Sequence, residues 1–588
     1  MSRARKQPGK AAGNSKLAAP VIVPRWRFYF VSVVLAAMGI ALVVQLARLQ
    51  VVPGADRGAE FLREAGENRT LRSQTIAGYR GVISDRYGEP LAVSTPLISV
   101  YLDPQLVTTE HEQLPRLAEL AELNVGELKA KLKRFSNRSY MSLKPRLPPE
   151  QVEQIKQLNI AGLYYETEYQ RYYPSAEVSA QLLGFTSIRD EGQEGIELAY
   201  DDWLQGSPGS RTVLKDEKGN IIRNVGITEA ASPGNNLALS IDLRLQYMAY
   251  RELKAAVALN QAESGSVIVL DAKSGEVLAL VNQPSFNPND RSRLNLQRDG
   301  VRNRALVDQL EPGSTIKPFS IMAALEQGVA RRDTIIDTSP GYVHVGGKTF
   351  LDPVNYGELD VTSIIKKSSQ VGTTKLALKT GPQAIRDMYY RVGLGQAPGT
   401  GFPGESVGVL PEYERWPSVT IANYAFGYGF TTSVLQLAQA YAVIANDGIK
   451  KPVSLLKREE KAPEQRVVSE SIARAMKAML ATVTQKGGTG VRAQLAHYAT
   501  AGKSGTAHLI GEHGYADDRY RSLFAGFAPL DNPEVVVVAV ISEPKTGKYY
   551  GGEVAAPVFA NVTEAALRLL EVPPDAELIK HQVAGGAQ

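Results

Sequence analysis

Serine and lysine are the side chains of this sequence best suited to covalent chemistry. The 588-residue chain has no cysteine, which excludes a thiolate nucleophile, and its six scattered histidines predict no metal site. On a helix, a serine and a lysine three positions further on share one face, so a neutral amine can take the hydroxyl proton. This Ser-x-x-Lys spacing occurs four times, and spacing alone does not choose among them: Ser314/Lys317, Ser363/Lys366, Ser454/Lys457 and Ser542/Lys545.

The surroundings of Ser314 distinguish it from the other three serines. The run Glu311-Pro312-Gly313 predicts a turn, and a helix is expected to begin directly after Ser314. A nucleophile at such a junction has backbone N–H groups and the positive helix end beside a developing oxyanion. By contrast, Ser454 precedes a charged stretch and the Ser542 pair contains a proline. Ser363 lacks a preceding turn, so we expect it only to position the segment that follows.

A second lysine is marked by its small neighbours. The tripeptide Lys-Ser/Thr-Gly also occurs four times, at Lys273, Lys379, Lys503 and Lys545. The first lies in a predicted hairpin turn, the second at a helix end and the fourth in a polar loop. Lys503 differs because residues 498–507 are mostly small and show no helical stripe. That composition predicts an open strand edge along which the backbone of a ligand can lie.

The charge of the chain is concentrated in one short tail. Residues 1–27 carry seven basic side chains and no acidic one, whereas the rest of the chain has a net charge of −2. Because the body is not basic, nucleic-acid binding is disfavoured. Residues 28–47 are uncharged and long enough to cross a bilayer as a helix. A signal peptide is the rival interpretation, but its apolar region is normally shorter and no small-x-small cleavage site follows. We therefore predict an uncleaved, single-pass anchor in the inner (cytoplasmic) membrane with residues 1–27 in the cytoplasm.

The body of the chain is expected to contain two regions and a flexible tail. Residues 48–235 mix short strands with helices such as 114–135, and a Ser-Pro-Gly turn marks the boundary. Residues 236–575 begin with a strand at 236–242, a helix at 243–259 and a hairpin formed by 266–271 and 276–282. A valine-rich strand at 534–542 and a helix at 557–570 come near the end, before the tail 576–588. Strands at both ends of this region predict an α+β domain whose sheet unites them.

The two marked segments together resemble a known family. Residues 311–319 followed by 502–507 are similar to the penicillin-binding transpeptidases, in the order and at the separation that this family uses. In the first region, residues 80–88, 171–174 and 192–197 resemble the three pedestal motifs of its class B members. The resemblance implies an elongated α/β pedestal, then an antiparallel sheet flanked by helices with an all-helical subdomain. Lys503-Ser504-Gly505 and Tyr428-Gly429 favour the division-specific type.

The family resemblance implies a role for each site residue. Ser314 is the expected nucleophile, Lys317 its general base, Ser368 the proton relay and Lys503 their electrostatic support. The backbone N–H groups of Ser314 and Thr506 are expected to form the oxyanion hole. Lys503 is also expected to lower the pKa of Lys317, ordinarily about 10.4, by like-charge repulsion.

The substrate-binding residues implied by the family include one departure from its pattern. Ser504, Gly505 and Thr506 are expected to bind the substrate, with the two hydroxyls on its carboxylate. The middle signature is Ser-x-Asn in the family, whereas this chain has Ser368-Ser369-Gln370. Gln370 keeps the amide but moves it by one methylene. The pedestal also has Gln181 where relatives often carry histidine.

The resemblance implies a peptidoglycan D,D-transpeptidase that cross-links stem peptides during septal wall synthesis and is acylated by β-lactam antibiotics. No metal or organic cofactor is required. Membrane-embedded division proteins, including a polytopic glycosyltransferase, are the implied partners. Three alternatives remain open: a β-lactamase-like hydrolase, a β-lactam sensor, and a catalytically weak division scaffold that Gln370 favours.

Overall fold

The computed structural model describes residues 24–50, 61, 71–76, 78–138, 140–215, 221–290, 292, 298–511 and 514–575. The predicted tail 576–588 and most of the basic tail lie outside these residues. The chain divides into two units, residues 1–75 with 210–229 and residues 76–209 with 230–588.

The first unit contains the expected anchor. Its helix Arg25–Gln50 includes the whole uncharged segment 28–47, and its apolar side chains are exposed. Among the described residues it is the one helix long and apolar enough to cross a membrane. This unit also contains a three-stranded sheet in the order Leu71–Ile76, Gly209–Lys215, Ile221–Glu229.

The first part of the second unit is built on a mixed sheet with helices packed against it. The strands run in the order Met141–Leu147, Pro90–Leu102, Ile83–Ser84, Leu237–Ala238, and Leu163–Tyr172 also pairs with the second of them. Three helices pack their apolar sides into one core: Leu114–Leu120, Val125–Arg134 and Pro149–Gln157. Short helical turns follow at Ala176–Val178, Ala180–Leu183, Gly195–Ala199 and Asp201–Leu204.

Two predictions for this part were wrong. The expected helix 114–135 is broken into two because Glu122 has a left-handed backbone and Asn124 caps the second helix through its side chain. The expected strand 236–242 is only Leu237–Ala238, and it pairs with Ile83–Ser84.

The rest of the second unit is organised around a five-stranded antiparallel sheet. Its strand order is Val277–Gln283, Ser264–Asp271, Val535–Ser542, Gly514–Ala528, Ala501–Gly511. The second and third strands pair although about 270 positions separate them, which confirms that the sheet unites both ends of the region. Lys503 lies on an edge strand, as predicted.

Helices cover both faces of this sheet. Leu243–Leu259, with the predicted bounds, and Gly551–Leu569 pack on one face. The last helix starts at Gly551, six residues before the predicted start at Pro557, and contains this proline in its interior. The remaining helices and 3₁₀ turns are Arg298–Val301, Arg304–Val307, Gly313–Ile316, Lys317–Glu326, Val361–Lys367, Gln370–Thr380, Pro382–Arg391, Ser418–Ala425, Val434–Ala445, Glu470–Thr484 and Val491–Ala493.

Three small two-stranded sheets complete the described structure. They pair Ile335–Asp337 with Glu358–Asp360, Tyr342–Val345 with Lys348–Leu351, and Ile449–Lys450 with Gln465–Arg466. The second of these hairpins ends directly before Asp352 and forms part of the wall of a large cleft.

Candidate active site

A cleft of about 1060 Å³ lies between the edge strand Ala501–Gly511 and the helical region. Ser314, Ser368, Gln370 and residues 504–506 all line it. Lys317 and Lys503 lie fully buried, and the Lys317 amine contacts Ser368 at the cleft wall. The structure therefore brings together the residues predicted to be catalytic with those predicted to bind the substrate.

Ser314, the predicted nucleophile, lies in a tight 3₁₀ turn, Gly313–Ile316, that leads directly into the helix Lys317–Glu326. Gly313 has a positive φ of 53°, and an added Cβ would lie 3.1 Å from the Thr506 carbonyl oxygen. A glycine is needed here because the turn must approach the edge strand closely. Behind the turn, the Tyr441 hydroxyl donates to the Thr315 carbonyl oxygen at 2.7 Å. Ser314 is thus held at the mouth of the cleft by packing on both sides.

Lys317 is fully buried and its amine points at Ser368. Nζ donates to the Ser368 carbonyl oxygen at 2.6 Å and to its hydroxyl oxygen at 3.2 Å. Burial lowers the pKa of Lys317 to about 7, while the charge of Asp352 acts in the opposite direction. A neutral amine, which can accept a proton, is therefore available near neutral pH.

Lys503 is buried beside it on the edge strand. Its Nζ donates to the Ser504 carbonyl oxygen at 2.9 Å. Burial, and then repulsion from Lys317, hold the pKa of Lys503 well below its usual range. Burial, rather than the expected repulsion from Lys503, is therefore the main cause of the lowered pKa of Lys317, and repulsion between the two amines adds to burial at Lys503.

Ser368 occupies a strained junction between two helices. It ends Val361–Lys367 with a left-handed backbone (φ 58°, ψ 36°), which is unfavourable for a residue with a Cβ. The next residue, Ser369, caps the helix Gln370–Thr380 by accepting from the Gly372 N–H at 2.9 Å. This conformation directs both polar groups of Ser368 toward Lys317.

The edge strand Ala501–Gly511 fits closely against the turn that contains Ser314. An added Cβ on Gly505 would lie 2.7 Å from the Thr315 methyl carbon, so glycine permits the contact. The Ser504 hydroxyl donates to the Thr489 hydroxyl at 2.9 Å, and the Thr506 hydroxyl accepts from the Gly551 N–H at 3.0 Å. Both hydroxyls are thereby held at the cleft surface.

Gln370 lies at the start of its helix, where its side chain lines the cleft and its N–H donates to Asp352 at 2.6 Å. Sequence reasoning missed Asp352 and Thr489, which form hydrogen bonds with the predicted site residues Gln370 and Ser504. Thr489 stands between two glycines, a turn signal that could have directed attention to it. Asp352 has no local signal, because its partners are assembled by tertiary packing.

The chemistry that this arrangement permits is acyl transfer to a serine. A hydroxyl nucleophile lies one helical turn from a buried amine whose proton affinity is low, and an edge strand offers backbone N–H groups for an oxyanion. These features define the class of serine acyl-transferring enzymes, with a buried lysine rather than a histidine one helical turn from the serine.

Comparison with known proteins extends this class assignment to a family. Residues 75–239 match the penicillin-binding protein dimerisation domain, and residues 265–564 match the penicillin-binding protein transpeptidase domain. The chain therefore belongs to the penicillin-binding protein family, and it is a transpeptidase that acts on peptidoglycan and binds β-lactams.

Relatives similar over nearly the whole chain include the peptidoglycan D,D-transpeptidase FtsI of Escherichia coli, 40% identical over 557 residues (94% of this chain, 93% of the relative). The probable peptidoglycan D,D-transpeptidase PbpC of Pseudomonas aeruginosa is 39% identical over 550 residues (94% and 96%).

Solved structures show the same similarity. Penicillin-binding protein 3 of Mycobacterium tuberculosis matches with a TM-score of 0.66 and 28% identity, over 86% of this chain and 99% of that structure. The transpeptidase domain of penicillin-binding protein 3 from Burkholderia pseudomallei matches with a TM-score of 0.53 and 39% identity, over 57% of this chain and 97% of that domain.

Proposed function

We propose that this transpeptidase cross-links peptidoglycan stem peptides during septal wall synthesis through an acyl-enzyme on Ser314. The observation that carries the proposal is the convergence, in one cleft, of Ser314, the Lys317 amine and the Ser368 hydroxyl. Similarity to FtsI over 94% of the chain supports the septal role.

In the first half-reaction, Ser314 Oγ attacks the carbonyl carbon of the penultimate D-alanine, and neutral Lys317 accepts the hydroxyl proton. The resulting oxyanion is stabilised by the backbone N–H groups of Ser314 and Thr506; one donor of this kind contributes about 2.7–4 kcal/mol. The C–N bond then breaks, and the departing D-alanine takes the proton through the Ser368 hydroxyl. Ser314 is left as an ester.

In the second half-reaction, an amine from another stem peptide attacks the ester carbonyl. Lys317 accepts the proton of the attacking amine, and Ser314 Oγ regains a proton as it leaves. The products are a new amide bond, which is the cross-link, and the free enzyme.

Substrate recognition is assigned to the edge strand and to the opposite wall. The Ser504 and Thr506 hydroxyls bind the terminal carboxylate of the donor peptide, with Lys503 buried directly behind them. The Gln370 amide contacts a substrate amide from the opposite wall. A β-lactam presents a similar carboxylate and a strained amide, so it acylates Ser314 in the same way.

The charge pattern supports one orientation in the membrane. Residues 1–27 carry all the excess positive charge, so we infer that they remain in the cytoplasm and that the catalytic cleft faces the cell wall. Membrane-embedded division proteins, including a polytopic glycosyltransferase that supplies glycan strands, are the proposed partners of the pedestal and anchor.

The proposal is tested by labelling the full-length protein, in detergent, with a fluorescent penicillin. We expect covalent label that survives denaturation in the native chain, its complete loss in Ser314→Ala, and its retention in Ser363→Ala. The last variant is a matched control because Ser363 has the same Ser-x-x-Lys spacing on another helix.

Each alternative gives a different result in this experiment. No Ser314-dependent label means a scaffold, and loss of label within seconds means a hydrolase. Stable label without exchange of D-alanine in a stem peptide means a sensor. Stable label together with exchange supports the transpeptidase proposal.

A further inference from the structure

Asp352 is a buried carboxylate that lies beside the catalytic residues but belongs to none of the sequence motifs. It directly follows the strand Lys348–Leu351 and lines the cleft, although its side chain is almost fully buried. Burying a carboxylate is costly unless its oxygens accept hydrogen bonds. The partners of those oxygens therefore indicate what the residue does.

Both oxygens of Asp352 accept from the start of the helix Gln370–Thr380. Oδ2 accepts from the Ser369 hydroxyl at 2.5 Å. Oδ1 accepts from the N–H groups of Gln370 at 2.6 Å and Val371 at 3.3 Å. An anion at this position also interacts favourably with the positive end of the helix. One carboxylate thus fixes the two residues that follow Ser368.

Fixing these neighbours determines where Ser368 lies. Ser368 has a left-handed backbone that persists only if its surroundings enforce it. The helix Val361–Lys367 holds it on one side, and Asp352 holds Ser369 and Gln370 on the other. Lys317 donates to both the carbonyl and the hydroxyl oxygen of Ser368. If this turn moved, these two hydrogen bonds would be lost, and both the proposed base and the proposed relay would be displaced.

Asp352 also acts on Lys317 through its charge. The amine contacts the Ser368 junction, and the charged groups that interact with it are Lys503 on the edge strand and Asp352 at the hairpin end. Burial lowers the pKa of Lys317, and the Asp352 carboxylate partly offsets that effect. The Asp352 carboxylate therefore favours the protonated form of the Lys317 amine, which burial disfavours.

We propose that Asp352 is a positioning residue for acyl transfer, which anchors the Ser368-Ser369-Gln370 turn and supplies the negative charge that the buried Lys317 experiences. The proposal rests on the proposed function, because it requires Lys317 to serve as the base for Ser314. Both oxygens of Asp352 are bonded to the start of the helix Gln370–Thr380, so the residue acts through Ser368 and Lys317.

The test is the pH dependence of the acylation rate for a slowly reacting β-lactam, with the full-length protein. In Asp352→Asn the side chain keeps its shape and its acceptor for the Gln370 N–H but loses its charge. Without that charge the pKa of Lys317 falls, so its neutral form persists to lower pH. We expect the acid limb of the profile to move about one pH unit downward, and the maximal rate to fall about tenfold.

Two further variants separate charge from anchoring. Ser369→Ala removes the hydrogen bond to Asp352, together with the cap on the Gly372 N–H, but keeps the carboxylate. It should lower the maximal rate without moving the acid limb of the profile. Asp360→Asn is the matched control, because Asp360 caps the neighbouring helix by accepting from the Ser363 N–H, and neither the rate nor the limb should change.

An Asp352→Asn profile whose acid limb coincides with that of the native chain overturns the proposal, whatever its maximal rate. A Ser369→Ala rate equal to the native rate overturns the anchoring role, and this variant decides the matter if Asp352→Asn does not fold. Failure of the proposed function gives a different result, since the native chain itself would then show no Ser314-dependent label.

Discussion

The pedestal and the cleft each bury two basic side chains, but the buried groups have different hydrogen-bond partners in the two regions. In the pedestal, Arg80 Nε donates to Oε2 of Glu197 and Arg171 Nε donates to Oε1, both at 2.6 Å. In the cleft, Lys317 and Lys503 donate to carbonyl oxygens, and within the described part of the chain neither forms a salt bridge with a carboxylate.

The difference in partners produces opposite proton affinities. Burial acts against the charge of Arg80, but Glu197 and Asp201 outweigh it, and the pKa of Arg80 rises. At Lys317 the charge of Asp352 only partly offsets burial, and at Lys503 repulsion from Lys317 adds to it, so the pKa values of both lysines fall. Arginine remains charged when buried, whereas lysine loses its proton readily. The buried cations of the pedestal thus stay charged and link its parts through carboxylates, whereas the buried lysines of the cleft give up their protons readily.

The largest expected effect comes from removing the shared anion of the pedestal. In Glu197→Gln, Arg171 loses its paired carboxylate and Arg80 is left with Asp201 alone, and breaking a buried pair costs about 3–5 kcal/mol. We expect a strongly lowered unfolding temperature in a thermal melt of the full-length protein.

The matched control is an exposed ion pair of the same pedestal. Arg116 and Glu119 have side chains that are 56% and 68% exposed, and pairs of this kind contribute about 0–1 kcal/mol. Glu119→Gln should melt close to the native chain. Equal melting temperatures for the two variants would show that the buried network is not a structural link.

A smaller change in stability, a gain instead of a loss, is expected for a substitution in the cleft. Replacing Lys317 by methionine abolishes acylation but removes a buried group that resists protonation, so we expect the fold to gain about 1–4 kcal/mol at neutral pH. The native pKa of about 7 lies below the unfolded value of about 10.4, so the unfolded chain binds more protons between these values.

The pH dependence of this stability gain tests whether the lowered pKa of Lys317 causes it. Native stability attributable to Lys317 rises as pH increases from about 7 to about 10.4, and the advantage of Lys317→Met shrinks over the same range. Melting temperatures of the two proteins, measured across this range, check the prediction. A variant that is less stable at pH 7 would indicate that the lysine stabilises the fold.

Much of this contrast was accessible from the sequence because its signals are local. The turn at 311–313 and the small residues around Lys503 predicted where nucleophile and edge strand lie, and the helix Leu243–Leu259 has the expected bounds. The three pedestal motifs were identified as separate runs, and each supplies one member of the Arg80–Arg171–Glu197 network.

What the sequence did not reveal are contacts made by tertiary packing. Nothing near Asp352 indicates that a hairpin end will meet a helix start 17 residues later. Nor could composition show that burial, rather than repulsion, lowers the pKa of Lys317, because burial depends on the whole helical region around it. The break at Glu122 was in principle visible, since Asn124 is a strong helix-capping residue.

The most direct test of the account is the acylation rate of Ser314 in the native chain as a function of pH. Because a neutral Lys317 must accept the serine proton, the rate should rise through a midpoint near pH 7. A rate that rises only near about pH 10, where an ordinary lysine loses its proton, would contradict a base made neutral by burial.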